Sequence, residues 1–404
     1  MPLLVLTALA LGAQARAQLA GPRVRAEVAP AVPARATLFP LEDVRLLPGP
    51  FQDAQETDRA YLLRLDPDRL LSGMRRAVGL TPKAPTYGGW DSGGSGTVGH
   101  YLSGAAQMAQ ATGDPALRKR VDYIVSEMAA CQKAGGSGGL WASPWDRDWF
   151  ADPGRGNVRA MSTTPWYTTH KTLAGLRDAY SVAGNALARD VLARDVLVKM
   201  ADWCVATTSN LTDDQFQHML GDAGTMGEFG GPHEVLADVY AITGTCKYLT
   251  LAERFRHRVI FDPLARGDAS VLTGQHANTE IPKFVGYERL YQLTGDKSYG
   301  DAARNFWEDV TVNRSWANGG DSIGETASEA AHALASDRSR TGGAGKPFTH
   351  WTQTLTGSRP GEYLPVTTPI PDALTRGKAQ ITVRFQPHAG GLAGGLFDLR
   401  VVQP

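Results

Sequence analysis

Glu234-Val-Leu-Ala-Asp-Val-Tyr-Ala-Ile-Thr-Gly-Thr-Cys246 carries the pattern that decides the fold. Apolar residues recur at helical spacing as far as Thr243, a glycine follows at 244, and a polar residue opens the next periodic stretch. Glycine at that place takes the left-handed conformation that closes a helix, and Asp, Asn or Thr after it can cap the next one. The same arrangement ends at Ala-Thr-Gly-Asp114, Val-Ala-Gly-Asn185 and Leu-Thr-Gly-Asp296. Tyr180, Tyr240 and Tyr291 each precede their glycine by four residues. Glycines 113, 184, 244 and 295 are therefore about one helical hairpin plus a loop apart. Four copies predict antiparallel helix pairs in a ring or solenoid, with long loops at one end where a site can form.

Outward from this repeat, residues 51–65 and 67–78 each fit an amphipathic helix, the second opened by Asp66-Pro67. Glycine-rich loops follow at Tyr87-Gly-Gly-Trp-Asp91, leading to Gly99-His-Tyr101, and at 135–149, which holds Trp141, Trp145 and Trp149. Others run from Met226 to Glu234 and from Gly319 to Glu325. After Glu325 the periodicity weakens: residues 326–346 read as a low-complexity junction, and alternation at 381–385 and 396–402 predicts a small β-domain over 347–404. At the other end, the apolar run 3–11 and Ala15-Arg-Ala17 have the form of a signal peptide over 1–17. Residues 18–36, rich in Ala, Pro, Arg and Val, read as a linker, and residues 37–325 as the helical domain. A secreted or periplasmic protein is expected.

The 404 residues carry 41 basic and 41 acidic side chains, with no basic run longer than Arg118-Lys-Arg120. That balance argues against a nucleic-acid or anionic-membrane partner. The leader run is too short to span a bilayer. Cys131, Cys204 and Cys246 lack C-x-x-C spacing and read as small buried hydrophobes; no metal-binding motif stands out. Three chemical motifs fail on inspection. Gly135-Gly-Ser-Gly-Gly139 matches a nucleophile elbow but follows a helix rather than a strand. His233-Glu-Val-Leu-Ala237 has alanine where a zinc-protease helix needs its second histidine. Gly342-Gly-Ala-Gly-Lys-Pro347 lacks the spacing of a phosphate loop.

What remains is a set of polar side chains at loop ends. Asp91, Glu228, Glu234, Glu280 and Glu325 are carboxylates, and His100, His170, His233 and His276 are imidazoles. Trp90, Trp141, Trp145, Trp149 and Trp166 offer flat aromatic surface of the kind sugar clefts use. Glycoside hydrolysis needs one carboxylic acid at the leaving oxygen and a second group as base or nucleophile. A carbohydrate is the expected partner.

At these residues the chain resembles a known family. Phe39-Pro-Leu-Glu-Asp-Val-Arg-Leu, Tyr87-Gly-Gly-Trp-Asp, Gly99-His-Tyr-Leu-Ser, Trp166-Tyr-Thr-Thr-His-Lys, Glu234-Val-Leu-Ala-Asp-Val-Tyr and His276-Ala-Asn-Thr-Glu-Ile-Pro-Lys look like glycoside hydrolase family 127. The resemblance implies a mainly α fold, an (α/α)6-barrel-like ring of helical hairpins, with a small C-terminal β-sandwich piece. It also implies a retaining arabinofuranosidase in which a zinc-bound cysteine thiolate attacks and a glutamate is acid/base. Glu325 inherits the acid/base role, and Trp90, His170, Glu234 and His276 are the expected sugar-binding residues, converging on one cleft. The family's Glu-Thr-Cys and Cys-Cys segments, which supply zinc ligands and nucleophile, have no counterpart after Glu325, as if by an internal deletion. The ring is therefore expected to be incomplete, without zinc, and poor or inactive as a hydrolase. Two other classes stay open: a non-catalytic carbohydrate-binding protein, and a barrel glycosidase pairing Glu325 with Asp321 or Glu228.

Overall fold

The computed structural model describes residues 26–33, 36, 38–88, 96–155, 164–182, 188–221 and 227–315, together with four two-residue strands further on. Its contacts divide the chain into two units, residues 1–262 with 279–303 and residues 263–278 with 304–404.

The first unit is built on helices. They are α1 (Pro50–Arg64), α2 (Pro67–Leu70), α3 (Ser72–Ala77), α4 (Val98–Thr112), α5 (Pro115–Gly135) and α6 (Pro144–Trp149). After these come α7 (Pro165–Val182), α8 (Ala188–Thr208), α9 (Asp213–Leu220), α10 (Pro232–Thr243) and α11 (Cys246–Arg254). Three further helices, α12 (Arg258–Ala265), α13 (Ala277–Thr294) and α14 (Lys297–Glu308), complete the series. Helix α4 lies along α7, which also packs on α8 and α10; α10 pairs with α11, and α5 with α4 and α8. The sequence-adjacent pairs α4–α5, α7–α8 and α10–α11 pack as hairpins, and α4–α7, α5–α8 and α7–α10 join one hairpin to the next. Among the described residues between 51 and 315 there is no strand.

The repeat is real at the atomic level. Gly113, Gly244 and Gly295 have φ of +73°, +65° and +75°. Their N–H groups donate to the carbonyls of Ala109, Tyr240 and Tyr291 at 2.9, 2.8 and 2.8 Å. Each glycine closes a helix in the left-handed conformation that a side chain disfavours. Gly184 lies outside the described residues. Asp114 then caps α5 through Ala116 N and Leu117 N, whereas Thr245 makes no side-chain cap bond to α11.

Three expectations change. The helix read over 67–78 is two helices, interrupted at Leu71, whose N–H bonds back to Pro67 and Arg69 in a tightened turn. Cys131 and Cys204 are buried as expected, but Cys246 is exposed because it opens α11 on the surface. The tryptophans form core rather than platform: Trp141, Trp149 and Trp166 are buried. They join an edge-to-face ladder, with Phe150 4.7 Å from Trp203 and Trp166 4.9 Å from Phe255. Aromatic pairs in that geometry add about 0.5–1.5 kcal/mol each beyond their buried area. Trp145 is half-buried, and Trp90 lies outside the described residues.

Within the stretch read as a linker, backbone bonds reach the helix ends. Glu27 N and Val28 N donate to Ala241 O at 2.8 and 3.1 Å, and Val32 N donates to Gln292 O at 3.0 Å. These carbonyls belong to the last turns of α10 and α13, which have no intrahelical donor of their own. Residues 27–32 therefore strap the C-terminal ends of two helices whose N-terminal halves carry the polar side chains described below.

In the second unit, Arg314 is buried and ion-paired with Asp309, and its guanidinium donates to Thr273 Oγ1 and Ala269 O at 3.2 and 3.0 Å. Ser322–Ile323 pairs antiparallel with Thr326–Ala327, and Gly345–Lys346 with Gln386–Pro387. The alternating stretches 381–385 and 396–402, the leader 1–17 and Glu325 lie outside the described residues. No described helix is long and apolar enough to cross a membrane.

Candidate functional site

Residues 227–231 bring the polar side chains of the first unit together. The loop presses on α7 and α13 so closely that only glycine fits. A Cβ on Gly230, at φ +71°, would stand 2.8 Å from His170 Nδ1, and one on Gly231 would stand 2.4 Å from Pro282 O. Gly231 N donates to His170 Nδ1 at 3.0 Å. This bond fixes the tautomer: Nδ1 is the acceptor, so Nε2 carries the proton.

His170 Nε2 points at Glu234 Oε2 across 3.6 Å, just beyond hydrogen-bond reach, and has no hydrogen-bond partner among the described residues. Glu234 sits in the first turn of α10, one-fifth exposed. Its other oxygen, Oε1, accepts from Arg177 Nη1 at 2.6 Å. Burial lowers the His170 pKa to about 4, against the pull of the Glu234 carboxylate, so the imidazole is neutral at pH 7. Burial also opposes ionisation of Glu234, but His170 and Arg177 outweigh it and hold the carboxyl down to about 2. A neutral donor and an anionic acceptor thus face each other across a gap.

Around this pair lies a rim the sequence reading left without a role. Tyr167 OH is 3.0 Å from His100 Nε2, and Lys171 Nζ lies 5.0 Å from the Tyr167 ring centre. Burial pushes the Lys171 pKa down, with Glu234 opposing, and burial with the Glu228 charge pushes Tyr167 up. His100, Tyr167 and Lys171 fall at loop-side turns of α4 and α7. Their spacing in one motif each was legible; their meeting was not.

A second cluster is structural. Lys283 Nζ donates to Glu280 Oε1 at 2.7 Å and to His257 Nδ1 at 3.3 Å, and lies 4.7 Å from the centre of the Phe229 ring. His257 Nε2 donates to Gly221 O, and His233 Nε2 to Lys283 O, each at 2.7 Å. Glu280 is 2% exposed and Lys283 not at all. Glu280, one of the carboxylates considered for catalysis, is therefore a buried ion-pair partner, and His233 a core histidine. Breaking a buried pair by removing one member leaves the other charge stranded, at a cost of about 3–5 kcal/mol. Lys283→Met is expected to lose stability of that order in urea unfolding, and the double change with Glu280→Gln to lose less. A loss below about 1 kcal/mol for Lys283→Met would contradict this assignment.

Of the expected sugar-binding residues, the structure brings His170 and Glu234 together. Trp90 and Glu325 lie outside the described residues, and His276 precedes α13 in the second unit. For the zinc the resemblance implies, the cysteines do not fit. Burial pushes Cys131 up to about 11 and Cys204 higher still, away from the thiolate a metal needs. Cys246 is exposed at the start of α11. Among the described residues no three His, Cys, Asp or Glu side chains are grouped to hold a metal.

A mainly helical protein with a histidine–carboxylate pair set by a glycine loop is the class these observations define. Residues 43–340 match the beta-L-arabinofuranosidase GH127 catalytic domain, and the chain belongs to that family. A solved GH127 beta-arabinofuranosidase, BT3674, is similar at 18% identity with a TM-score of 0.49, over 76% of this chain and 48% of that one. This chain thus spans about half the length of that relative. No curated protein matches it.

Proposed function

We propose that this protein binds an L-arabinofuranosyl group between His170 and Glu234 and does not hydrolyse it through a zinc thiolate. The observation that carries the proposal is the 3.6 Å gap between His170 Nε2–H and Glu234 Oε2, both otherwise fixed. A sugar hydroxyl seated to one side of the line between them, where His170 Nε2 is now closed to solvent and must be uncovered, would accept from Nε2–H and donate to Oε2. Family membership supplies the sugar class. The hairpins are taken as the family's (α/α) barrel in incomplete form, with residues 347–404 as a β-sandwich piece. Trp90 and His276 are kept as sugar-binding residues, and Glu325 as acid/base, by resemblance alone. The leader-like residues 3–17 support export to the periplasm or beyond.

A hydrogen bond to a charged group contributes about 1.5–3 kcal/mol. Glu234→Gln is therefore expected to weaken binding of L-arabinose, measured by titration calorimetry, by roughly tenfold or more. Equal affinity in Glu234→Gln and wild type would place the sugar elsewhere. Hydrolysis of an aryl arabinofuranoside without zinc would favour the two-carboxylate alternative.

A further inference from the structure

We propose that Arg177 is the positioning residue of this site, holding Glu234 so that one carboxylate oxygen stays open toward His170; the proposal rests on the sugar-binding reading above. Arg177 lies at the middle of α7, in a run of sequence that looks like ordinary surface charge. Its guanidinium is instead shared among three carboxylates. Nη1 donates to Glu234 Oε1 at 2.6 Å and to Asp238 Oδ2 at 2.9 Å, and Nε donates to Asp178 Oδ1 at 3.0 Å.

Two of those carboxylates are anchored a second time. Asp178 Oδ2 accepts from Ser103 Oγ and from Gln107 Nε2, the latter at 3.2 Å, which ties the network to α4. Asp238 Oδ1 accepts from Arg289 Nε at 2.7 Å, which ties it to α13. Glu234 is the exception: among the described residues its second oxygen faces His170, 3.6 Å away. The planar fork of arginine suits this task because it fixes the acceptors in one plane, which an ammonium cannot do.

Two consequences of losing Arg177 follow. Glu234 would be free to turn onto His170 Nε2–H, closing the gap that admits a hydroxyl. Asp178, Glu234 and Asp238 would also stand together with no cation between Asp178 and Glu234. A buried carboxyl among like charges then takes up a proton at unusually high pH.

The test compares wild type, Arg177→Met, Arg177→Lys and, as a control outside the network, Lys297→Met, which removes an exposed ion pair with Asp301. L-arabinose is the probe, followed by calorimetry, with the His170 ring nitrogens followed by ¹⁵N NMR. Wild-type affinity is expected to be flat from about pH 6 to 9, whereas Arg177→Met binds roughly tenfold or more weakly at pH 7 and more weakly still as pH rises and the ionised carboxylate turns onto Nε2–H. Its His170 Nε2–H signal should move as the proton becomes bonded to carboxylate, with or without sugar. Arg177→Lys should keep the flat profile at intermediate affinity, and Lys297→Met should match wild type. A His170 signal and pH profile unchanged in Arg177→Met overturn the proposal. Should Arg177→Met fail to fold, wild-type affinity in Arg177→Lys overturns it instead. If wild type does not bind L-arabinose but the His170 signal moves in Arg177→Met, the sugar reading fails and the positioning role stands.

Discussion

Acidification is expected to unfold this protein between about pH 6 and 4. Three imidazoles carry the effect. Burial holds His170 and His233 at about 4 and His257 at about 3, the last helped by the neighbouring Lys283 ammonium. In the unfolded chain each binds a proton near ~6.5. Between those values the unfolded state holds more protons than the folded one, so stability falls as pH falls. The slope is about 1.4 kcal/mol per pH unit for one histidine and about 4 for three together. By pH 4 the summed loss is roughly 9 kcal/mol, within the ~5–15 kcal/mol that holds an ordinary domain together. Glu234 acts lower down: its contribution is present above about 4.5 and is lost as pH falls toward about 2. The histidines therefore decide the midpoint. Urea unfolding followed by circular dichroism, in steps from about pH 8 to 4.5, reads the slope directly. His257→Gln keeps a donor for Gly221 O and an acceptor for Lys283, and should remove about a third of the slope. Stability that stays flat over this range would mean the imidazoles titrate in the folded protein as they do in the open chain.

The helical frame was legible because its signal is local. A left-handed residue within one turn of an apolar stripe is a backbone requirement, and glycine answers it at 113, 244 and 295 wherever the rest of the chain goes. The tryptophans misled for the opposite reason. An indole in a glycine-rich stretch has the same sequence whether it faces a sugar or another ring. Trp166 is buried because Phe150 and Phe255 flank it, and these stand 16 residues before it and 89 after it.

Site residues were legible as types and not as partners. The tautomer of His170 is set by Gly231, 61 residues away, and Glu234 is oriented by Arg177, 57 residues away. Glu280 and Lys283 are three apart on one helix, a spacing that on most helices marks a solvated ion pair. What distinguishes this pair is the Phe229 ring and His257 closing over it, which no spacing reveals. Charge in a sequence predicts exposure; only the folded neighbours show when the charges have been taken inside together.

Purified protein is expected to hold no stoichiometric zinc and to hydrolyse aryl β-L-arabinofuranosides poorly or not at all. A thiolate nucleophile needs its proton affinity lowered by a metal or a cation, and zinc needs three or four ligands in tetrahedral array. The buried thiols are displaced the other way, Cys131 up to about 11 and Cys204 further, because burial penalises the anion. Cys246 is open to solvent at the first turn of α11, and the next two residues, Lys247 and Tyr248, bind the Asp202 carboxylate. Among the described residues none of the three belongs to a group that could hold a metal. The Glu-Thr-Cys and Cys-Cys segments that the resemblance would require are absent from the sequence itself. Metal analysis by mass spectrometry, run beside a turnover assay on wild type and Glu325→Gln, separates the outcomes. One zinc per chain, with turnover abolished by Glu325→Gln, would sink the expectation and restore a complete thiolate site. Turnover without zinc, lost in Glu325→Gln, would instead assign the chemistry to two carboxylates. Sugar binding without turnover in either protein is the expected result, because the pair proposed to bind a hydroxyl, His170 and Glu234, is assembled independently of any thiol.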